Sequence, residues 1–476
     1  MDIHENLNAS LVLYAIALAL IGISSVAGSY NSDTLSAIVM AVWTIVLILY
    51  AIAYSRNSRA KSYLHIASIS CFILFLFTYI NSWTAALDVV SVAVYPIPLI
   101  ITLLSILFLA QLYLSNKTRL RWLFLGAAVI IAILYFSVIT TQYIVPDESV
   151  ISYYAYSAFL HGANPYSINV SANLTRLHNT MGIGLSYNKN STLVSNFRYP
   201  ALYFLIQAPF YLLMLPNLQN IGGSFSSAET IAGFLIFIIA YLSIYRKRPA
   251  LANPSYAAII LFAVLGFGQF ILLFMLSLIM FMYSDFGQRH KWLILGIMVS
   301  LQEQLWAVAL LFIVYEFMNN HKNGARTLLG AVGIFILVNG YFILLSPHAF
   351  INSFASEVSG LQANDTSPLS HLLFTFGVSS QVVTAAFFVS ILASVLLLLW
   401  LKDYKTIPLL SIIPFLFLSH SGTSYFAIPF IAFAFIDNLS RQSKSSHSTI
   451  FILTGTSTTN LIKCSVYQNQ EEQEEA

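Results

Sequence analysis

Residues 122–149 read WLFLGAAVIIAILYFSVITTQYIVPDES, and this stretch decides the fold class. The run 122–143 is apolar and meets the roughly 20 residues that a helix needs to cross a bilayer core. It ends at Pro146, and two adjacent carboxylates, Asp147 and Glu148, follow at once. A carboxylate at the bilayer boundary is costly, so it has a task or a partner. Asp147 or Ser149 caps a helix running to about Leu160, with Gly162 as its C′ residue and a turn starting at Asn164-Pro165. Tyr153, Tyr154, Tyr156 and Phe159 make that helix strongly aromatic, which suits a helix lying at headgroup level.

The rest of the chain repeats the first half of this pattern. Of 476 residues, 58% are hydrophobic and 8% charged, with a mean hydropathy of +0.79, against roughly 25% charged residues in soluble domains. This excludes an ordinary soluble enzyme and a nucleic-acid binder, and predicts an all-α, polytopic transmembrane bundle of about 11–14 spans. Before the loop, apolar runs cover 11–28, 35–54, 63–80, 90–114 and 122–143. The first lacks a convincing cleavage site and reads as a retained helix. After the loop they fall near 200–216, 230–245, 255–284, 292–317, 327–345, 378–401, 406–419 and 425–437. Cys71 and Cys464 are far apart in sequence and imply no disulfide framework.

Charge placement orients the bundle. Of 21 Lys and Arg, Arg176, Lys189 and Arg198 alone fall between Pro146 and Tyr199. The others gather in short clusters such as Arg56/Arg59/Lys61, Arg246-Lys247-Arg248, Arg289/Lys291 and Lys322/Arg326, or in the tail. Basic loops are cytoplasmic, so residues 146–199 form one large outer loop, which also holds sequons at Asn169, Asn173 and Asn190. Single crossings at 200–216 and 230–245 would carry the Arg246 cluster outside. Either the first run, with Pro200, Pro209 and Pro216, is irregular, or that cluster breaks the rule. The runs 255–284 and 292–317 each read as two short helices, broken near Gly266/Gly268 and near Gln302-Glu303-Gln304. Three parts follow: 1–121, a four-span extension; 122–440, a membrane domain by hydropathy alone; and 441–476, a disordered cytoplasmic tail.

Five segments then fall in a telling order. The carboxylates and aromatic helix lead to Gly162-x-Asn164-Pro165-Tyr166. Next come Arg198-Tyr199-Pro200-Ala201-Leu202, Gly268-Gln269, the stretch Gly296–Trp306, and Ser419–Pro429 with Tyr425. Together they resemble the GT-C fold glycosyltransferases, above all the polyprenol-phosphate-mannose-dependent mannosyltransferase group, over roughly residues 122–437. Three departures stand out: Gln302 or Glu303 replaces a family lysine, His420 replaces a basic residue of the last loop, and Ala201 replaces a proline.

The resemblance implies a multi-pass enzyme, in the plasma membrane of a prokaryote, with its catalytic loop on the outer face. Its partners would be the bilayer, a polyprenyl-phosphate sugar and a glycan or glycolipid acceptor, with no cofactor beyond that lipid-linked donor and no nucleic acid. Attack at the anomeric carbon needs a general base within reach of the acceptor hydroxyl, and Asp147 is the candidate, with Glu148 as helper or as the base itself. Arg198 would grip the leaving phosphate in bidentate fashion, with His161 and His420 in support. Asn164, Tyr166, Tyr199, Gln269, Glu303, Gln304 and Tyr425 complete the expected binding set. No third carboxylate lies near Asp147-Glu148, so no metal is expected. Each residue has a plainer role beside this one. Asp147 can cap its helix, Arg198 can contact headgroups, and His161 can sit solvated at a helix C-terminus. Asn164 and Tyr166 can shape a turn, Gln269 and Glu303 can bond between helices, and Tyr425 can anchor at the interface. A transporter or flippase, and a non-catalytic subunit built on the same body, are the competing readings.

Overall fold

The computed structural model describes residues 33–56, 147–181, 193–209, 235–244, 271–359 and 368–415, with scattered positions at 58–71 and at 185, 233, 417 and 432. The expected spans at 11–28, 90–114 and 122–143, most of 63–80, and the tail lie outside the described residues. What is described is helical throughout, apart from turns and short extended links. The helices are α1 (Asp33–Ser55), α2 (Asp147–Leu160), α3 (Ser171–Met181), α4 (Leu202–Leu205), α5 (Ile271–Phe281), α6 (Asp285–Arg289), α7 (Lys291–Leu301), α8 (Gln304–Asn319), α9 (His321–Leu345), α10 (Pro347–Ser359), α11 (Pro368–Thr375), α12 (Ser380–Leu401) and α13 (Ile407–Phe415). A further helical segment covers Leu235–Ile244.

Two helices, α9 with 25 residues and α12 with 22, are long and apolar enough to cross a membrane. At 1.5 Å per residue they reach about 37 and 33 Å, against a bilayer core of about 30 Å. Many of their large apolar side chains point away from the protein, although Phe342, Val383 and Leu398 are buried. Leu329, Leu337 and Leu344 of α9 and Phe388, Val389 and Leu392 of α12 are all exposed. Small polar groups do the reverse: Ser394 is buried and its hydroxyl donates across to the Leu410 carbonyl of α13, 3.0 Å away.

The run 292–317 is broken where the sequence suggested. Helix α7 ends at Leu301, Gln302 is extended (φ −158°, ψ 139°), and α8 starts at Gln304. The two halves form an antiparallel hairpin, because Lys291 at the start of α7 reaches Glu316 near the end of α8, with Nζ 2.6 Å from Oε1. The long helix α9 then runs back parallel to α7. Trp292 faces Gly330 and Gly296 faces Ile334, the same sequence offset in both pairs. A Cβ on either glycine would sit 2.5–2.6 Å from its neighbour's Cβ, so hydrogen is what lets the axes approach. Extending this register brings Leu301 level with Asn339, about 27 Å along α9 from His321.

The ends of the bundle differ in kind. At one end Arg56 lies over the Trp400 ring, 4.7 Å from its centroid. The Ser55 hydroxyl bonds the Leu401 carbonyl there, and Lys402 closes α12 in the left-handed region, φ 52°. Tyr404 packs on Phe312 and Tyr315 beside the Lys291–Glu316 pair. Helices α3, α6, α10 and α11 are additions to what the hydropathy pattern suggested. Helix α3, SANLTRLHNTM, is polar, and the others are short or interrupted by polar residues, so none has the signature of a span.

Candidate functional site

Helix α2 ends at Leu160, as the sequence suggested, but it starts at Asp147, so Asp147 and Ser149 lie inside it instead of capping it. Asp147 and Glu148 sit in the first turn, where the helix dipole favours negative charge. The two carboxylates separate. Asp147 is buried, 4% exposed, and its Oδ1 accepts the Glu148 amide at 3.0 Å, while Glu148 is half-buried. At the other end Gly162 takes φ +73°, its amide bonds the Phe159 carbonyl, and the Ala163 amide bonds that of Ala158. These paired bonds and the left-handed glycine form a Schellman cap. His161 is exposed, and its Nδ1 lies 2.7 Å from the Ser157 carbonyl one turn back.

Beyond the cap, Asn164 Oδ1 accepts the Tyr166 amide at 3.0 Å and opens the 3-10 turn Pro165–Ser167. The turn delivers Tyr166 into an aromatic cluster with Phe197, Phe342 and Phe350. Its hydroxyl donates to the Tyr199 carbonyl at 2.9 Å. Burial pushes the Tyr166 hydroxyl well above its ordinary pKa, so it stays a neutral donor. Phe159, at the far end of α2, packs on Phe204 and Phe342 and completes the link from α2 to α4 and α9.

The segment Arg198–Ala201 leaves the loop through this cluster. Arg198 is buried at 8% exposure and Tyr199 at 5%, with the Tyr199 ring stacked on Tyr203 at 4.4 Å. The first turn of α4 follows, since the Tyr203 amide bonds the Pro200 carbonyl and the Leu205 amide that of Ala201. Ile206 keeps helical angles, φ −70° and ψ −24°, with its amide on the Leu202 carbonyl, and residues 210–216 of the proline-rich run lie outside the described residues. Asn339 of α9 holds the segment: its Oδ1 accepts the Ala201 amide at 2.8 Å, and its Nδ2 donates to Phe335 in its own helix at 3.0 Å. Sequence reasoning missed Asn339. The available signal was a lone amide in the apolar run 331–345, which interhelical bonding makes costly to ignore.

The tip of the α7–α8 hairpin comes to the same depth. Gln302 and Gln304 are buried and Glu303 is half-buried. Trp306 bonds the Val299 carbonyl through its indole N–H at 2.9 Å and packs on Phe354 of α10. Ser300 Oγ, Gln304 Oε1 and Asn164 Nδ2 are buried with no hydrogen-bond partner among the described residues.

The expected set thus divides. Asp147, Glu148, Asn164, Tyr166, Arg198, Tyr199, Glu303 and Gln304 belong to elements joined by α4, α9 and α10, while His161 stands at the solvated end of α2. Gln269, His420 and Tyr425 lie outside the described residues. Among the described residues no group of three His, Cys, Asp or Glu side chains comes together as a metal site. An arrangement of one buried carboxylate, one buried guanidinium and several neutral amides suits proton transfer and oxyanion contact. Comparison with protein-family models, with curated proteins and with solved structures finds no match to this chain.

Proposed function

We propose that the protein is a multi-pass membrane glycosyltransferase of the GT-C kind, moving a hexose, with mannose the first candidate. The donor would be a polyprenyl-phosphate sugar and the acceptor a hydroxyl of a glycan or glycolipid. One observation carries the reading: two opposite charges are buried, Asp147 at the start of α2 and Arg198 four residues before α4, the helix on which the far end of α2 packs through Phe159 and Phe204. Buried charges are costly unless they are put to use, and the elements that hold these two make that use chemical on this reading.

On this reading the acceptor oxygen attacks the anomeric carbon and its proton passes to the Asp147 carboxylate. The bond from that carbon to the phosphate oxygen breaks, and the charge left on the phosphate meets the Arg198 guanidinium. The Glu148 amide orients the base through its 3.0 Å bond. The outward apolar faces of α9 and α12 support lodging in a bilayer, and the basic residues Arg56, Lys291 and Lys402 at the opposite end support a cytoplasmic side there.

The test uses purified full chain in nanodiscs with radiolabelled polyprenyl-phosphate sugars, wild type against Asp147→Asn. Label transferred by wild type and lost in Asp147→Asn supports the reading; undiminished transfer by Asp147→Asn removes Asp147 as base. A transporter of lipid-linked or amphipathic solutes is the second reading, favoured by the α7–α8 hairpin, because paired half-helices with polar tips also line transport sites. Solute uptake into proteoliposomes, with no transfer from any donor, selects it.

A further inference from the structure

We propose that Asn339 is a positioning residue, which fixes the depth of the Arg198–Pro200 segment against the hairpin tip and so sets where Arg198 meets the donor phosphate. The inference rests on the transferase reading for the phosphate, and on geometry for the anchor. Asn339 is fully buried in a helix otherwise suited to lipid. An amide in that position is costly unless both its ends are used, and both are: Oδ1 takes the Ala201 amide of a segment distant in sequence, and Nδ2 returns to the Phe335 carbonyl.

The bond to Phe335 locks the side-chain rotamer, so Oδ1 is presented at a defined height on α9. That height is the level of Leu301 in the α7–α9 register, next to Gln302. Ala201 is three residues from Arg198 and is the N-cap of the short helix α4, with φ −61° and ψ −26°. No described bond other than this one ties the backbone amide of Ala201 to the rest of the protein. A shift of the segment along α9 would move Arg198 with it, and misplacement by even an ångström is enough to weaken a phosphate contact.

The geometry offers two separate ways to remove the bond. Asn339→Leu deletes the acceptor. Ala201→Pro deletes the donor from the other side, at a backbone φ that proline already prefers. Donor KM and kcat are measured for wild type, both single variants and the double variant in nanodiscs, with hydrogen exchange followed at the Tyr203 and Leu205 amides. The expected result is a donor KM raised about tenfold in each single variant with kcat little changed, and a double variant no worse than either single. Exchange at Tyr203 and Leu205 is expected to quicken about tenfold, with α12 unaffected.

A fall in kcat with donor KM unchanged, or additive losses in the double variant, overturns the positioning role. Unchanged exchange at Tyr203 and Leu205 in Asn339→Leu overturns the anchor whatever the activity. Absence of transfer by wild type sinks the transferase reading and the donor role together, and the exchange data still decide the anchor.

Discussion

Both ends of the bundle are closed by the same device, a tyrosine hydroxyl on the carbonyl of another tyrosine. Tyr283 bonds Tyr404 at 3.1 Å at the basic end, and Tyr166 bonds Tyr199 at 2.9 Å at the loop end. What surrounds the device differs. At the basic end Gln288 bonds both the Tyr404 hydroxyl and the Met282 carbonyl, and Lys291 meets Glu316. At the loop end Asn164, Ser300 and Gln304 each keep a buried polar atom without a partner among the described residues. On the proposed reading, the first end serves stability and the spare capacity of the second would serve the donor.

That contrast can be broken by experiment, with the largest effect expected at the loop end. Asp147→Asn should lower transfer by about a hundredfold or more, the size of a lost general base, with thermal unfolding in detergent little changed. Arg198→Gln should reduce kcat/KM for the donor by about a hundredfold through the lost charge-assisted contact. Transfer by either variant at the wild-type rate would erase the difference between the ends.

The basic end should answer in stability instead. Lys291→Met strands Glu316, which is 7% exposed. Because Lys291 itself is 21% exposed, the cost should be about 1–3 kcal/mol, below that of a fully buried pair. Chemical denaturation reads this, and activity per folded molecule should hold. Gly330→Ala drives a methyl against Trp292 and should cost about 1–3 kcal/mol by overpacking. Gly333→Ala, on the same helix with open space around it, should raise stability by up to about 1 kcal/mol. Equal effects at these two glycines would count against the close α7–α9 approach.

The features legible in the sequence are those set by local chemistry. Helix α2, the Gly162 cap, the Asn164 turn and the break at Gln302–Gln304 each follow from residues adjacent in the chain. Long-range partners do not. Ala201 and Asn339 lie on opposite sides of a broad stretch of chain, and nothing near either residue names the other. The α7–α8 hairpin was half legible: polar residues marked the break, but the direction of return depends on Lys291 finding Glu316. Helix α10 escaped notice because its start relies on Ser346, whose hydroxyl accepts the Ala349 amide at 3.3 Å, and its FINSF segment is too polar to register as a span.

The hairpin has a consequence for how the chain is made. Helix α7 begins and α8 finishes at the same end of the bundle, so on the membrane reading the stretch Lys291–Asn319 would return to the side it entered from. Its polar cargo is three residues at the tip, carried in between two apolar arms and closed off behind by the Lys291–Glu316 latch. Helix α9 then serves as the rail against which the folded arms settle. On the membrane reading, a ribosome stalled before α9 emerges should leave this hairpin unsupported, with its tip still open to water.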